Sequence, residues 1–154
     1  QGLNLISPIT FLSHSLTPLG NITRRIPNDS EWKDIQYGFE LAKYLADHEM
    51  GQTIVVKKQS VLAVEAAEGT DATIQRGAIL GKGDVIVVKV ARTEQNFILD
   101  IPAIGINTIL TLGQNGGGII AMEHEKTLLL NRDQVIHKAD ELGIGVVGVS
   151  EACL

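Results

Sequence analysis

The sequence is poor in the residues that cross-link a fold or hold a zinc ion. It has one cysteine, Cys153, which cannot form a disulfide within the chain and has no metal-ligand spacing around it. Its four histidines show neither the His-x-x-x-His nor the Glu-x-x-His spacing of zinc sites. We therefore expect a protein of a reducing, cytoplasmic setting that contains no zinc.

Long apolar runs and an excess of basic residues are also missing. No run approaches the roughly 20 apolar residues of a membrane span, and no basic region followed by an apolar core opens the chain. The net charge of −5 argues against nucleic acid as a partner, because proteins that bind it concentrate lysine and arginine. These absences predict a soluble domain that binds no nucleic acid.

Motifs of covalent catalysis and of P-loop nucleotide binding are absent as well. No serine lies in a Gly-x-Ser-x-Gly turn, and Cys153 has no neighbouring base. The three glycines at 116–118 are not followed by the Lys-Ser/Thr of a phosphate-binding loop, so they predict a flexible loop. Covalent nucleophilic catalysis is therefore not expected.

What is present indicates one domain of ordinary size. A chain of 154 residues with 44% hydrophobic residues is long and apolar enough to bury a core. Pro8, Pro18 and Pro27 allow only short elements in residues 1–27, which we expect to pack on a domain formed by residues 28–154. Because the chain begins with Gln1 rather than Met, we expect it to be part of a longer protein.

Helical and strand patterns alternate along the chain. Apolar residues three or four apart predict helices, and runs rich in β-branched residues predict strands. The predicted helices run from a cap at Asn28 or Ser30 to 47, over about 70–80, over 105–112, and from a cap at Asn131 or Asp133 to 142. The predicted strands cover 54–57, 61–66, 85–90, 119–122, 127–130 and 144–149. Short connections at 58–60 and 123–126 predict two hairpins, so we expect an α/β fold with a mixed sheet covered by about four helices.

Asp100 is a single carboxylate among apolar residues, just before a turn at Pro102. A buried charge costs several kcal/mol unless it is paired, capped or bound to metal, so the sequence predicts a partner for Asp100. Two interpretations stay open: Asp100 caps the helix that follows Pro102, or it is a general base or metal ligand beside a phosphoryl group.

Glu68-Gly69-Thr70-Asp71 has two compatible interpretations. Thr70 or Asp71 is the N-cap of the next helix, whose dipole favours nearby carboxylates. Alternatively, the helix N-terminus after Gly69 binds a phosphate, and an adjacent carboxylate holds Mg²⁺.

Two further charged residues lie at strand ends. Lys89 shares a predicted strand face with Val85 and Val87, and either extends to the sheet edge or neutralises a phosphate. Glu123 opens the connection 123–126, where a solvated turn is the favoured interpretation, but its place at a strand end keeps it as a candidate.

In their order along the chain, these segments resemble the C-terminal domain of the LpxI family, the UDP-2,3-diacylglucosamine pyrophosphatases of bacterial lipid A biosynthesis. The most specific are Glu-Ala-Ala-Glu-Gly-Thr-Asp at 65–71 and Asp-Ile-Pro-Ala-Ile-Gly at 100–105. The resemblance runs from about residue 2 to residue 149 and includes the segments 34–38, 47–52, 62–64, 88–91 and 131–133.

The resemblance implies Mg²⁺-dependent hydrolysis of the pyrophosphate of UDP-2,3-diacylglucosamine to UMP and 2,3-diacylglucosamine 1-phosphate (lipid X). It implies a homo-oligomer in the cytoplasm with peripheral contact to the inner membrane. It also implies an N-terminal nucleotide-fold domain, absent from this chain, that completes the active site. We therefore expect the isolated domain to be inactive or nearly so.

By the same resemblance, Asp100 and Asp71 are the catalytic residues and the metal ligands. The residues that it assigns to substrate binding are Glu68, Gly69, Thr70, Lys89, Pro102, Gly105 and Glu123. Ile106-Asn107 and Glu123-His124-Glu125 depart from the family pattern, which bears on loop shape and on the role of Glu123.

The aromatic content of 4% predicts no acyl-chain site in this half. The alternative function is a non-catalytic module of the same fold that binds a phosphate or a nucleotide sugar.

Overall fold

The computed structural model describes residues 6–154, in which helices cover a six-stranded mixed sheet. The strands are β1 (Gly20–Asn21), β2 (Thr53–Lys57), β3 (Ser60–Val64), β4 (Val85–Lys89), β5 (Ala103–Ile104), β6 (Gly118–Glu123), β7 (Leu128–Leu129) and β8 (Gly145–Val149). The order across the main sheet is β1-β8-β6-β4-β2-β3, while β5 and β7 form a separate parallel pair. The predicted α/β class and the mixed sheet are confirmed.

The helices lie on both faces of this sheet. They are α1 (Ile9–Leu12), α2 (Asp29–Asp47), α3 (Thr70–Gly81), α4 (Ile106–Gln114) and α5 (Arg132–Glu141). Apolar residues of α2 pack with Ile86 and Val88 on one face, and those of α3, α4 and α5 pack with Val85 and Val87 on the other. The four longer helices correspond to the four that the periodicity predicts.

The N-terminal segment contains only short elements among its described residues. These are α1, a 3-10 turn at Ser13–Ser15, and β1, which pairs antiparallel with β8 at the sheet edge. The first five residues of the predicted segment 1–27 lie outside the described part of the chain.

Helix α2 begins where its sequence predicts. The Asn28 side chain accepts hydrogen bonds from the backbone N–H groups of Ser30 (2.9 Å) and Glu31 (3.0 Å), and Glu31 accepts one from the Asn28 N–H (2.8 Å). This reciprocal capping box satisfies backbone donors that have no partner inside the helix. Asn28, rather than Ser30, is therefore the N-cap.

The second predicted hairpin is wrong, whereas the first one forms. Strands β2 and β3 pair antiparallel across Lys58-Gln59. Strand β6, however, pairs in parallel with β4 on one side and with β8 on the other. Both of its edges are occupied, so β7 has no edge of β6 to pair with and pairs with β5 instead.

The carboxyl ends of four strands lie at the same edge of the main sheet. Strands β3, β4, β6 and β8 run in the same direction, because β3 and β4 are both antiparallel to β2, while β6 and β8 continue parallel to β4. Their carboxyl ends share an edge with the amino end of β2, and α3, α4 and α5 begin there. Ligands of α/β sheets bind at such carboxyl ends.

Candidate functional site

Lys89 ends β4 and is 4% exposed. Its Nζ donates to the hydroxyl oxygens of Thr53 (3.0 Å) and Thr70 (2.8 Å) and lies 3.8 Å from Glu65 Oε2. Thr53 is within reach because the register of β2 and β4 places it directly opposite Lys89. Lys89 therefore brings a positive charge to the carboxyl edge of the sheet.

The N-terminus of α3 lies over this charge, with Gly69 rather than Thr70 as the N-cap. Gly69 has a φ of 83°, a conformation that a glycine adopts without steric cost. Thr70 is the first helical residue, and its hydroxyl donates to Glu65 Oε1 (2.7 Å) while it accepts from Lys89. The prediction that Thr70 or Asp71 caps α3 is therefore wrong, because the Thr70 hydroxyl links Lys89 to Glu65.

Asp71 follows in the first turn of α3. Its Oδ1 accepts a hydrogen bond from the Thr108 hydroxyl of α4 (2.7 Å), and its side chain is partly exposed. Thr108 thus fixes a carboxylate between the first turns of two helices that start at the same sheet edge.

Asp100 is exposed and lies in the connection between β4 and β5, so the expectation that it is buried is wrong. It does not cap α4, whose N-cap is Gly105 without a side-chain hydrogen bond. The apolar residues beside it do not bury it, since Ile98 and Leu99 are themselves 41% and 78% exposed. Its partner is the side-chain amide of Gln95, 3.3 Å from Asp100 Oδ2.

The charges around Lys89 act on one another. Burial lowers the pKa of Lys89, and the carboxylates of Glu65, Asp100 and Asp71 offset part of this by favouring the ammonium form. Burial alone would raise the pKa of Glu65, but the Lys89 charge and hydrogen bonds hold it below its usual value. Asp71 and Asp100 thus both lie within electrostatic range of Lys89.

The lowered pKa of Lys89 predicts a pH dependence of stability. Its pKa is lower in the folded than in the unfolded protein, so the unfolded state binds more protons between the two values. The free energy of unfolding of the wild type should therefore rise, relative to that of Lys89→Met, as the pH is raised from neutral towards the pKa of an unfolded lysine, about 10.5. Urea denaturation across this range measures the difference, and parallel curves for the two proteins would contradict the prediction.

Glu68, Pro102 and Gly105, three further predicted substrate-binding residues, have other contacts. Glu68 is exposed and pairs with Arg76 (2.6 Å). Pro102 is buried, and its carbonyl oxygen accepts a hydrogen bond from the Leu128 N–H (2.8 Å). Gly105 begins α4 as its N-cap. Their contacts with substrate stay predictions.

Glu123 ends β6, as predicted, but it is buried, so the solvated-turn interpretation is wrong for this residue. Its carboxylate accepts hydrogen bonds from the Ala91 N–H (2.9 Å) and from Lys43 of α2 (3.2 Å), and it pairs with Lys126 (2.9 Å). By strand alternation Glu123 faces α2, whereas Lys89 faces α3. The structure therefore does not bring Glu123 together with Lys89, Thr70 and Asp71.

The acidic residues fit one kind of metal site. Within residues 6–154, no group of three or more His, Cys, Asp or Glu side chains is placed to hold a metal ion. Mg²⁺ needs only one or two carboxylates when substrate phosphates and water complete its shell. Asp71 and Asp100 are carboxylates of the kind that Mg²⁺ takes together with a phosphorylated substrate, and binding of Mg²⁺ by them stays a prediction.

Sequence reasoning missed four residues of this region: Thr53, Glu65, Gln95 and Thr108. Glu65 belongs to the segment 65–71 on which the family resemblance rests, and this was the one available signal. Thr53 contacts Lys89 and Thr108 contacts Asp71 although the paired residues are 36 and 37 positions apart. Gln95 contacts Asp100 within an irregular loop. No local sequence pattern encodes these contacts.

In the part of the chain that the structure describes, no helix is long and apolar enough to cross a membrane. The sequence model of a family described as the LpxI C-terminal domain matches residues 18–147. The chain is also 34% identical, over 157 aligned residues, to the UDP-2,3-diacylglucosamine pyrophosphatase LpxI of Caulobacter vibrioides. The alignment covers 97% of this chain but 56% of that relative, so the chain spans little more than half the length of the curated protein that it matches.

Proposed function

Since the chain belongs to the LpxI family, as a C-terminal domain, we propose that it is the catalytic half of a hydrolase that cleaves the pyrophosphate of UDP-2,3-diacylglucosamine. The products are UMP and 2,3-diacylglucosamine 1-phosphate. The observation that carries this proposal is the buried Lys89 ammonium, held by Thr70 at the N-terminus of α3 and within range of two candidate catalytic carboxylates.

The phosphate groups are proposed to bind between Lys89 and the first turn of α3. The exposed N–H groups of a helix N-terminus and a buried ammonium both favour an anion. Gly69 leaves room for close approach, because no heavy atom lies within 4 Å of where its Cβ would stand. The Thr70 hydroxyl orients the Lys89 ammonium by accepting a hydrogen bond from it.

Asp100 is proposed to accept a proton from the attacking water. Its side chain is exposed and therefore accessible to water, and its charge acts on Lys89. Asp71, fixed by Thr108, would hold Mg²⁺ together with Asp100. When bound, Mg²⁺ neutralises charge that develops on the pyrophosphate oxygens.

The loop of Asp100 also offers apolar surface to a lipid substrate. Leu99 and Ile98 are exposed directly beside Asp100, although the low aromatic content predicts no acyl-chain site. We propose that the protein works as a homo-oligomer in the cytoplasm, in peripheral contact with the inner membrane, and that an N-terminal domain completes the cleft.

The test is UMP release from UDP-2,3-diacylglucosamine, with Mg²⁺ and then with EDTA. The chain preceded by an N-terminal domain of this family (the long form) is compared with the 154-residue chain alone. We expect Mg²⁺-dependent release by the long form and little by the chain alone, because half of the cleft binds substrate weakly.

Absence of release from both forms would contradict the enzyme proposal. In that case a rise in melting temperature with UMP and Mg²⁺ would support the non-catalytic binding module, since a ligand that binds only the folded state stabilises it. No rise in melting temperature would contradict both functions.

A further inference from the structure

Asp100 lies on the connection 90–102, which contains no helix or strand. Anchors hold both ends of this connection. At its start, Ala91 N–H donates to Glu123 (2.9 Å), and Lys43 donates to the Ala91 carbonyl (2.7 Å). At its end, Leu128 N–H donates to the Pro102 carbonyl (2.8 Å). These anchors restrain the backbone at the ends but do not touch the Asp100 side chain.

Gln95, in contrast to these anchors, contacts the Asp100 side chain. Its Nε2 donates to the Asp100 carbonyl (3.0 Å) and to Asp100 Oδ2 (3.3 Å). Its Oε1 accepts from the Arg92 N–H (3.1 Å) and from Nε2 of Gln52 (2.8 Å). Gln52 immediately precedes β2, and its carbonyl accepts from the Val90 N–H (3.0 Å). Gln95 thus links Asp100 to the main sheet.

The chemistry of this link requires an amide at position 95. The Arg92 N–H can only donate, so the oxygen of the Gln95 amide faces Arg92 and its NH₂ group faces Asp100. A carboxylate at position 95 would keep the bond to Arg92 but would place a second negative charge against Asp100. Position 95 therefore favours glutamine over glutamate, although the two side chains are nearly equal in size.

We propose that Gln95 is the positioning residue for Asp100, and that it holds the Asp100 carboxylate towards Lys89 through the link to Gln52. The proposal rests on the proposed function for the role of Asp100, but the contact itself is testable without turnover. Because Gln95 donates a hydrogen bond to the Asp100 carboxylate, we expect its effect on turnover to be exerted through Asp100.

The first experiment measures hydrogen exchange of the segment 96–102 in the 154-residue chain. In Gln95→Ala, exchange of this segment should be about tenfold faster, because the loop loses its side-chain hydrogen bonds to Asp100 and Gln52. Gln114→Ala is the control, since Gln114 is an exposed glutamine at the end of α4, outside this loop. Equal exchange in Gln95→Ala and wild type would overturn the proposal.

The second experiment measures UMP release by the long form. In Gln95→Ala, kcat should fall about 10- to 100-fold with KM within about threefold, and Gln95→Glu should lose at least as much despite its size. In an Asp100→Ala background, Gln95→Ala should cause no further loss, because the two residues act as a unit. A purely structural role predicts losses that multiply, and that result would overturn the proposal.

The two experiments distinguish a failure of the proposed function from a failure of the positioning role of Gln95. If the wild-type long form releases no UMP, the proposed function fails, while hydrogen exchange still decides whether Gln95 holds the segment that carries Asp100. If turnover is present but Gln95→Glu is as active as wild type, the positioning role fails and the proposed function stands.

Discussion

Replacing Asp100 with alanine is expected to lower UMP release by the long form about 10³-fold or more. The physical reason is the loss of the carboxylate that we propose accepts the proton of the attacking water, a role that contributes about 10² to 10⁴ in rate, together with the loss of one proposed Mg²⁺ ligand. Asp100 is exposed, and within residues 6–154 its carboxylate hydrogen-bonds only to Gln95, so the melting temperature should stay within a few °C of wild type. Steady-state kinetics and calorimetry measure the two effects.

Two variants sharpen this test. Asp100→Asn keeps the size of the side chain but loses its charge, so it should be nearly as inactive as Asp100→Ala. Glu94→Ala removes an exposed carboxylate from the same loop and should keep wild-type activity. Wild-type turnover in Asp100→Ala, or equal losses in Asp100→Ala and Glu94→Ala, would contradict the catalytic role of Asp100.

Glu123→Ala is expected to have the largest effect on stability. The buried carboxylate accepts the Ala91 N–H and pairs with Lys43 and Lys126, so its removal leaves the Ala91 N–H without its acceptor and both lysines without this negative partner. Breaking such an arrangement costs about 3 kcal/mol, at the lower end of the range for a buried pair because both lysines are partly exposed. For a chain of this length the melting temperature should fall by roughly 6 to 12 °C.

Glu125 provides the matched control for Glu123. It lies two residues away, its side chain is 73% exposed, and Glu125→Ala should change the free energy of unfolding by less than about 0.5 kcal/mol. Urea denaturation of both variants measures the difference. Equal stability of Glu123→Ala and wild type would contradict the view that Glu123 supports the fold by anchoring the Asp100 loop to α2.

Local patterns predicted the elements of this fold because the forces that set them act within a few residues. The capping box at Asn28 and Glu31 and the apolar stripe of α2 are complete within the sequence of that helix. The hairpin of β2 and β3 likewise depends on a short turn. Helix and strand periodicities therefore indicated the four longer helices and five strands of the main sheet, but not the two-residue strand β1.

Strand pairing was less predictable because it depends on which edges are free. Residues 123–126 have the length of a hairpin connection, but β6 already pairs on both sides with β4 and β8. Those partners come from crossovers through α4 and α5, which no short window of sequence contains. The pairing of β7 with β5 follows from this competition and not from the turn.

The candidate site was likewise predictable from the sequence only in part. The sequence by itself determined the α/β class, the family and the candidates Lys89, Thr70, Asp71 and Asp100, because local periodicity and motif order carry that information. Only the tertiary structure decided that Asp100 is exposed, that Glu123 faces the opposite side of the sheet, and that Glu65 and Gln95 are partners in the site. Burial and charge pairing arise from residues distant in the chain, so they exist only once the sheet and its helices have assembled.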